Sequence, residues 1–160
     1  MVELLSPVGS FETLAAAIDA GADSVYFGIK GLNMRSASAK NFDISDLKKI
    51  AERCHKNNVK CYLTLNTIVY NHEFPRVRKI LEEVKESKVD AIIACDFGVI
   101  NLAKELDIEI HISTQASIGN IESVKFYSQF SPRVVLAREC TLEQIKSMKG
   151  KEKISMLTAY

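Results

Sequence analysis

The sequence predicts an α/β fold of TIM-barrel-like type, an incomplete barrel of about six βα units plus a seventh strand. Three observations carry this. Short β-rich runs recur near residues 2–5, 24–28, 59–66, 91–95, 109–113, 133–137 and 154–158. The stretches between them show helical periodicity. The oversized loops follow strands, which is where barrel enzymes build their sites.

The elements can be taken in order. After the first strand, Phe11, Leu14, Ala15 and Ile18 are spaced i, i+3, i+4, i+7, the apolar stripe of a helix. Ser10 suits its N-cap and Gly21 its stop. Past the second strand runs a long loop through Gly31-Leu32-Asn33-Met34-Arg35. Asp43 then opens a helix on Leu47, Ile50, Ala51 and Cys54 that ends at Asn57-Asn58. The third strand leads into an enlarged loop from Asn66 to Glu73, followed by a helix on Val77, Ile80, Leu81 and Val84. Late in the chain, Thr141-Leu142-Glu143-Gln144 matches a capping box.

Strands alternating with helices imply parallel pairing and right-handed crossovers. An open dinucleotide-binding sheet would place a Gly-rich turn after its first strand. Here that turn is Ser6-Pro7-Val8-Gly9-Ser10, with one glycine, so the barrel is the better architecture. Residues 1–160 read as a single domain.

Composition excludes several classes. The chain is 47% hydrophobic and 26% charged, with a net charge of +1, which argues against a strongly basic nucleic-acid surface. No apolar run approaches the roughly 18 residues of a membrane span, and the N-terminus lacks a signal-peptide pattern. A cytoplasmic protein without membrane attachment is expected. Cys54, Cys61, Cys95 and Cys140 are scattered, with no C-x-x-C and no Cys/His spacing of a zinc site. They read as reduced thiols behaving as small hydrophobes, and no metal site is expected.

Side chains alternate faces along a strand, so parity sorts them into barrel-facing and helix-facing sets. Parity groups Tyr62, Thr64 and Asn66 inside the barrel, and His111, Ser113 and Gln115 likewise. It groups Ile92, Ala94 and Asp96 on the fourth strand, leaving Ile93 and Cys95 toward the helices, and Val134, Leu136 and Arg138 on the sixth. Glu139 begins the loop beyond, where parity fades. Asn66, Asp96, Ser113, Gln115 and Arg138 all lie at or past strand C-termini. Polar groups are costly to bury unpaired, so their gathering at one mouth marks a candidate site; the alternative is that they pair and plug the barrel. His111, deeper in the strand, suits a core hydrogen bond better than a general base. His55 and His72 read as solvated, and Asp19 and Asp23 as turn chemistry around Gly21. No Gly-x-Ser-x-Gly elbow, P-loop or His-Glu-x-x-His is present.

Several stretches together resemble the U32 family, the proteins labelled collagenase-like peptidases. They are Glu3-Leu4-Leu5-Ser6-Pro7-Val8-Gly9-Ser10, Ala20-Gly21-Ala22-Asp23-Ser24-Val25-Tyr26-Phe27-Gly28, Asn33-Met34-Arg35 with Asn41-Phe42, Tyr62-Leu63-Thr64-Leu65-Asn66-Thr67, Ser113-Thr114-Gln115, and Val134-Val135-Leu136-Ala137-Arg138-Glu139. The resemblance implies peptide hydrolysis, as the label says, or iron–sulfur-dependent hydroxylation of RNA or a quinone. It implies a 4Fe-4S cluster in some members, on cysteines beyond residue 160. None of the four cysteines here matches such a position, so no cofactor is expected in this chain. In the family the next strand usually leads into a His-Gly-Ala segment. This sequence instead ends Lys153-Ile154-Ser155-Met156-Leu157-Thr158-Ala159-Tyr160.

Parity and resemblance together nominate Asn33, Arg35, Asn66, Asp96, Ser113, Gln115, Arg138 and Glu139 as substrate-binding candidates, with the catalytic residues unassigned. Arg35 and Arg138 suit an anionic group. The expected function is substrate binding at the strand C-terminal mouth of a U32 barrel, the substrate being a peptide, RNA or a small molecule. The alternative is a catalytically incomplete fragment or remnant that acts only as a binding module. Open sheet edges, with apolar surface from Leu4, Ile92, Val134 and Leu136, point to a homodimer.

Overall fold

The structure, a computed structural model, describes residues 3–31, 41–148 and the backbone of 155–158. In chain order its elements are β1 (Leu5–Pro7), α1 (Phe11–Asp19), β2 (Ser24–Gly28), α2 (Leu47–Lys56), β3 (Lys60–Leu65), α3 (Phe74–Glu86), β4 (Ala91–Ala94), α4 (Phe97–Glu105), β5 (Ile110–Ile112), α5 (Ile121–Tyr127), β6 (Arg133–Leu136), α6 (Leu142–Met148) and β7 (Ser155–Thr158). The strands form one sheet in the order β1-β2-β3-β4-β5-β6-β7, and every adjacent pair is parallel. This is a βα barrel segment, as the alternation of elements predicted.

Local sequence sets the helix ends. The Ser10 hydroxyl accepts the Thr13 N–H at 3.3 Å while Thr13 Oγ1 accepts the Ser10 N–H at 3.0 Å. Thr141 and Gln144 complete the predicted box, with Gln144 Oε1 accepting the Thr141 N–H at 2.7 Å. Gly21 leaves α1 with φ of +82°, a conformation that glycine adopts without steric penalty. Asn58, Lys88 and Asp107 follow α2, α3 and α4 with φ of 58°, 58° and 55°.

The sheet has two unlike faces. The large core gathers Leu14, Ile50, Leu81, Ile100 and Val124 from the helices with Leu63, Ile92, Ala94, Ile112, Val134 and Leu136 from the strands. A second, small cluster consists of Tyr62, Ala91 and Ile93, with Leu5 and Tyr26 against it, all strand residues. The helices therefore cover one face, and the other is the barrel interior.

Two parity assignments are corrected. Ile92 and Ala94, and likewise Val134 and Leu136, lie in the helix-covered core, whereas Ile93 faces the interior. Pairing explains it: Ile93 is in register with Thr64 and His111, and His111 with Arg133. β4 is apolar on both faces, and so is β6 after Arg133, so these runs carried little contrast for parity to read. The interior surface thus comes from Leu5, Tyr26, Tyr62 and Ile93, not from Ile92, Val134 and Leu136. The first strand also begins later than the apolar run at 2–5. Leu4 is exposed, its N–H donates to Asp23 Oδ2 at 2.7 Å, and its carbonyl accepts the N–H of Asp23 at 3.0 Å.

At the N-terminal ends of the strands the interior closes on a polar network that parity did not find. Arg133, the first residue of β6, donates from Nη1 to Glu3 Oε1 at 2.9 Å and lies 2.8 Å from Oε2 through Nη2, a two-pronged pair. Tyr62 Oη and Ser24 Oγ donate to the same Oε1 at 2.9 and 2.6 Å. The Arg133 guanidinium lies 5.7 Å from the centre of the Tyr62 ring, and His111 packs edge-on to that ring at 4.6 Å. Burial alone would raise the Glu3 pKa. The hydrogen bonds from Arg133, Ser24 and Tyr62, with the Arg133 charge, outweigh that and hold it at about 2. Burial and the bond to Glu3 push the Tyr62 phenol up, so it stays a neutral donor.

Because the folded-state value lies below the unfolded one, ionised Glu3 contributes fully above the ordinary glutamate range. That contribution is lost as the pH falls toward 2. Urea denaturation between pH 5 and 2 is expected to show the wild type losing about 3 kcal/mol that Glu3→Gln does not lose. Parallel pH profiles for the two proteins would rule the network out as a source of stability. A second expectation concerns β1 and β7, the edges of the sheet. Edge strands present unpaired backbone groups, so light scattering over a concentration series should show this 160-residue chain associating, most simply as a two-fold dimer. A clean monomer at high concentration is the contrary result.

Candidate functional site

The C-terminal ends of the strands form the opposite end of the interior. Thr64, buried near the top of β3, donates from Oγ1 to the Phe27 carbonyl of β2 at 2.9 Å. Asn66, half-buried just past β3, donates from Nδ2 to Ser113 Oγ at 3.5 Å. That contact passes over β4, so it exists because the sheet curls. Ser113 is 1% exposed and opens a single turn of 3₁₀ helix over 114–116, its Oγ accepting the Gln115 N–H at 3.3 Å. Gln115 itself is exposed.

The next loop is tied to this one. Ala137 N–H donates to the Ile118 carbonyl at 2.8 Å, and Thr114 Oγ1 to the Leu136 carbonyl at 3.4 Å. Arg138 and Glu139 follow at once and are exposed. Asn66 and Ser113 are thus in contact, and Gln115, Arg138 and Glu139 sit on two adjoining loops at the same end. Asn33 and Arg35 lie outside the described residues.

Asp96 has a different task. Its Oδ1 accepts the N–H groups of Gly98 at 2.8 Å and Val99 at 3.2 Å, capping α4, and its Oδ2 accepts the Val69 N–H at 3.3 Å. The carboxylate fastens the loop after β3 to the start of α4. Parity read this residue as barrel-facing, but the chain has already turned into a helix there.

Below the mouth, His111 is fully buried and lies 2.9 Å through Nε2 from Glu109 Oε1. Burial lowers its pKa despite the Glu109 bond, and the Arg133 charge adds to the lowering, so it is neutral near pH 7. With Nε2–H donated to Glu109, Nδ1 is an acceptor with no partner among the described residues. Ser113 Oγ is engaged by Asn66 and Gln115, not by this imidazole. Cys95, half-buried beside Asp96, has its thiol pKa raised by burial and then by that carboxylate, which makes it a poor nucleophile.

The four thiols do not fit a four-cysteine cluster. Cys54, near the end of α2, and Cys61, at the start of β3, are both buried toward the N-terminal end of the strands. Cys95 follows β4 and Cys140 lies past β6, both toward the other end.

A curled parallel sheet with helices outside and polar loops at its strand C-termini defines this chain as a segment of a (β/α)-barrel protein. It belongs to peptidase family U32, whose family model matches residues 9–158. It is 49% identical over 146 residues to a collagenase of Porphyromonas gingivalis, covering 91% of this chain and 35% of that protein. It is 34% identical over 157 residues to tRNA hydroxylation protein P1 of Bacillus subtilis, covering 96% of this chain and 37% of the relative. A solved U32 peptidase superposes with a TM-score of 0.81 at 12% identity, over 99% of this chain and 68% of that one. The chain thus spans about a third of the length of these curated relatives.

Substitutions should separate the two kinds of polar residue. Asp96→Ala is expected to cost about 1–2 kcal/mol in urea denaturation, as loss of a cap does. Arg138→Ala, at an exposed position, should stay within about 0.5 kcal/mol. Equal costs at both would mean that Arg138 is structurally paired.

Proposed function

We propose that this chain supplies the substrate-holding part of a U32 barrel, with the substrate entering at the strand C-terminal mouth. The observation that carries this is the Asn66–Ser113 contact inside the barrel, with Gln115, Arg138 and Glu139 exposed on adjoining loops at the same end. An amide and a hydroxyl at the floor with a guanidinium at the rim suit a polar ligand that carries an anionic group. The activity served is peptide hydrolysis or iron–sulfur-dependent hydroxylation of RNA or a quinone. A relative named as a collagenase supports the first, and one named as a tRNA hydroxylation protein supports hydroxylation of RNA. A cluster would sit on cysteines outside these 160 residues, given how the four here are placed. Ser113 Oγ is held by two donors and His111 by Glu109, which favours binding without bond cleavage by this chain alone. Among the described residues no helix is long and apolar enough to cross a membrane.

The test is titration of the chain with transfer RNA, a denatured collagen peptide and a soluble quinone, followed by backbone NMR shifts. One ligand should perturb Asn66, Ser113, Gln115 and Arg138, and Arg138→Ala should weaken it by about tenfold, as loss of a charge-assisted contact does. Binding that leaves these residues unmoved, or no binding by any of the three, would overturn the mouth as the site. After anaerobic purification the chain should hold no stoichiometric iron and sulfide and should leave gelatin intact.

A further inference from the structure

At the other end of the strands, His55, Cys61 and Asp90 place an imidazole nitrogen, a thiol sulfur and a carboxylate oxygen within 4.8 Å of one another. They come from three places in the chain. His55 is in the last turn of α2, Cys61 is the second residue of β3, and Asp90 immediately precedes β4. The tight turn at Asn57-Asn58, with Asn58 at φ of 58°, reverses the chain between the first two. The Asp90 N–H donates to the Cys61 carbonyl at 3.1 Å and fixes the third.

Asp90 Oδ2 is the hub. It lies 2.9 Å from His55 Nε2 and 3.4 Å from Cys61 Sγ, and it accepts the Cys61 N–H at 2.8 Å. From these contacts we propose that His55, Cys61 and Asp90 form a binding site for a divalent transition metal of zinc type. Imidazole, thiolate and carboxylate are the three ligand types zinc takes, and three protein ligands leave a fourth position for water. In a tetrahedral zinc site with ordinary bond lengths, such donor atoms stand roughly 3.4–3.6 Å apart. The Asp90–Cys61 distance of 3.4 Å already falls in that range, while His55 must move away from Asp90, from 2.9 Å, and settle against Cys61. Its side chain is 39% exposed, which lets it move and gives an ion its way in. Cys61 is the buried wall, with Cys54 buried close by in α2. The ion would displace the thiol proton and join α2, β3 and the α3–β4 turn, remote from the mouth.

Without metal the same three residues form a surface hydrogen-bonded pair and a carboxylate cap on a strand start. Thiolate coordination separates the two descriptions. The chelator-treated chain, kept reduced with a phosphine, is titrated with Co²⁺ and then Zn²⁺. A sulfur-to-cobalt charge-transfer band with the visible bands of a tetrahedral site should appear, saturate at about one equivalent and vanish on adding Zn²⁺. Zn²⁺ should also raise the melting temperature. Cys61→Ser should abolish the charge-transfer band. His55→Ala, at an exposed position that leaves the core intact, should weaken Co²⁺ binding by at least about tenfold, since loss of even an outer-shell partner has that effect. Absence of the band in the wild type overturns the proposal, as does a band or melting shift retained in both variants.

Discussion

Arg133 on β6 and Glu3 ahead of β1 meet across the barrel interior, 130 residues apart in the chain. Among the described residues each strand pairs only with its sequence neighbours, so this contact reaches where no ladder does. Parallel ladders fix neighbours but not curvature. A charge pair that reaches across the interior constrains that curvature. Removing two charges from water costs several kcal/mol each, and a pair of this kind holds only when the remaining lone pairs are satisfied. Ser24 and Tyr62 do that here by donating to Glu3, and the Tyr62 ring also lies beside the guanidinium.

Concentrating this pairing at the strand N-termini leaves the other end polar but sparsely tied. Asn66 and Ser113 touch at 3.5 Å, and Gln115, Arg138 and Glu139 are exposed. His111 stands between the two regimes, neutral and packed on Tyr62, with one nitrogen bonded and the other buried without a partner among the described residues. The division follows the logic of barrels generally, with stability at the bottom and variable loops at the top.

The fold was legible in the sequence wherever one segment had to satisfy itself. Ser10, Thr141 and Gly21 act as predicted because capping and positive φ are settled within a few residues. Parity worked on β3 and β5, where polar Thr64 and Ser113 alternate with buried aliphatic neighbours. It failed on β4 and β6, where Ala91-Ile92-Ile93-Ala94 and Val134-Val135-Leu136 are apolar in both directions. Asp96 was misread because the strand had ended and its carboxylate bonds to the helix that follows. The anchoring pair had a faint signal in Arg133, a charge opening an apolar strand. Nothing near it in sequence named Glu3 as its partner.

The amino-acid sequence by itself determined the βα alternation, the parallel pairing that alternation requires, the helix boundaries and the resemblance to U32 proteins. These rest on local propensity, on periodicity and on ordered motifs, all of which are linear properties. The tertiary structure alone decided which face of β4 and β6 looks inward, that Glu3, Tyr62 and Arg133 close one end, and that His55, Cys61 and Asp90 converge. Each of these depends on register between strands that lie tens of residues apart. Register is a property of the assembled sheet, set by the packing of every helix against it, and no single segment encodes it.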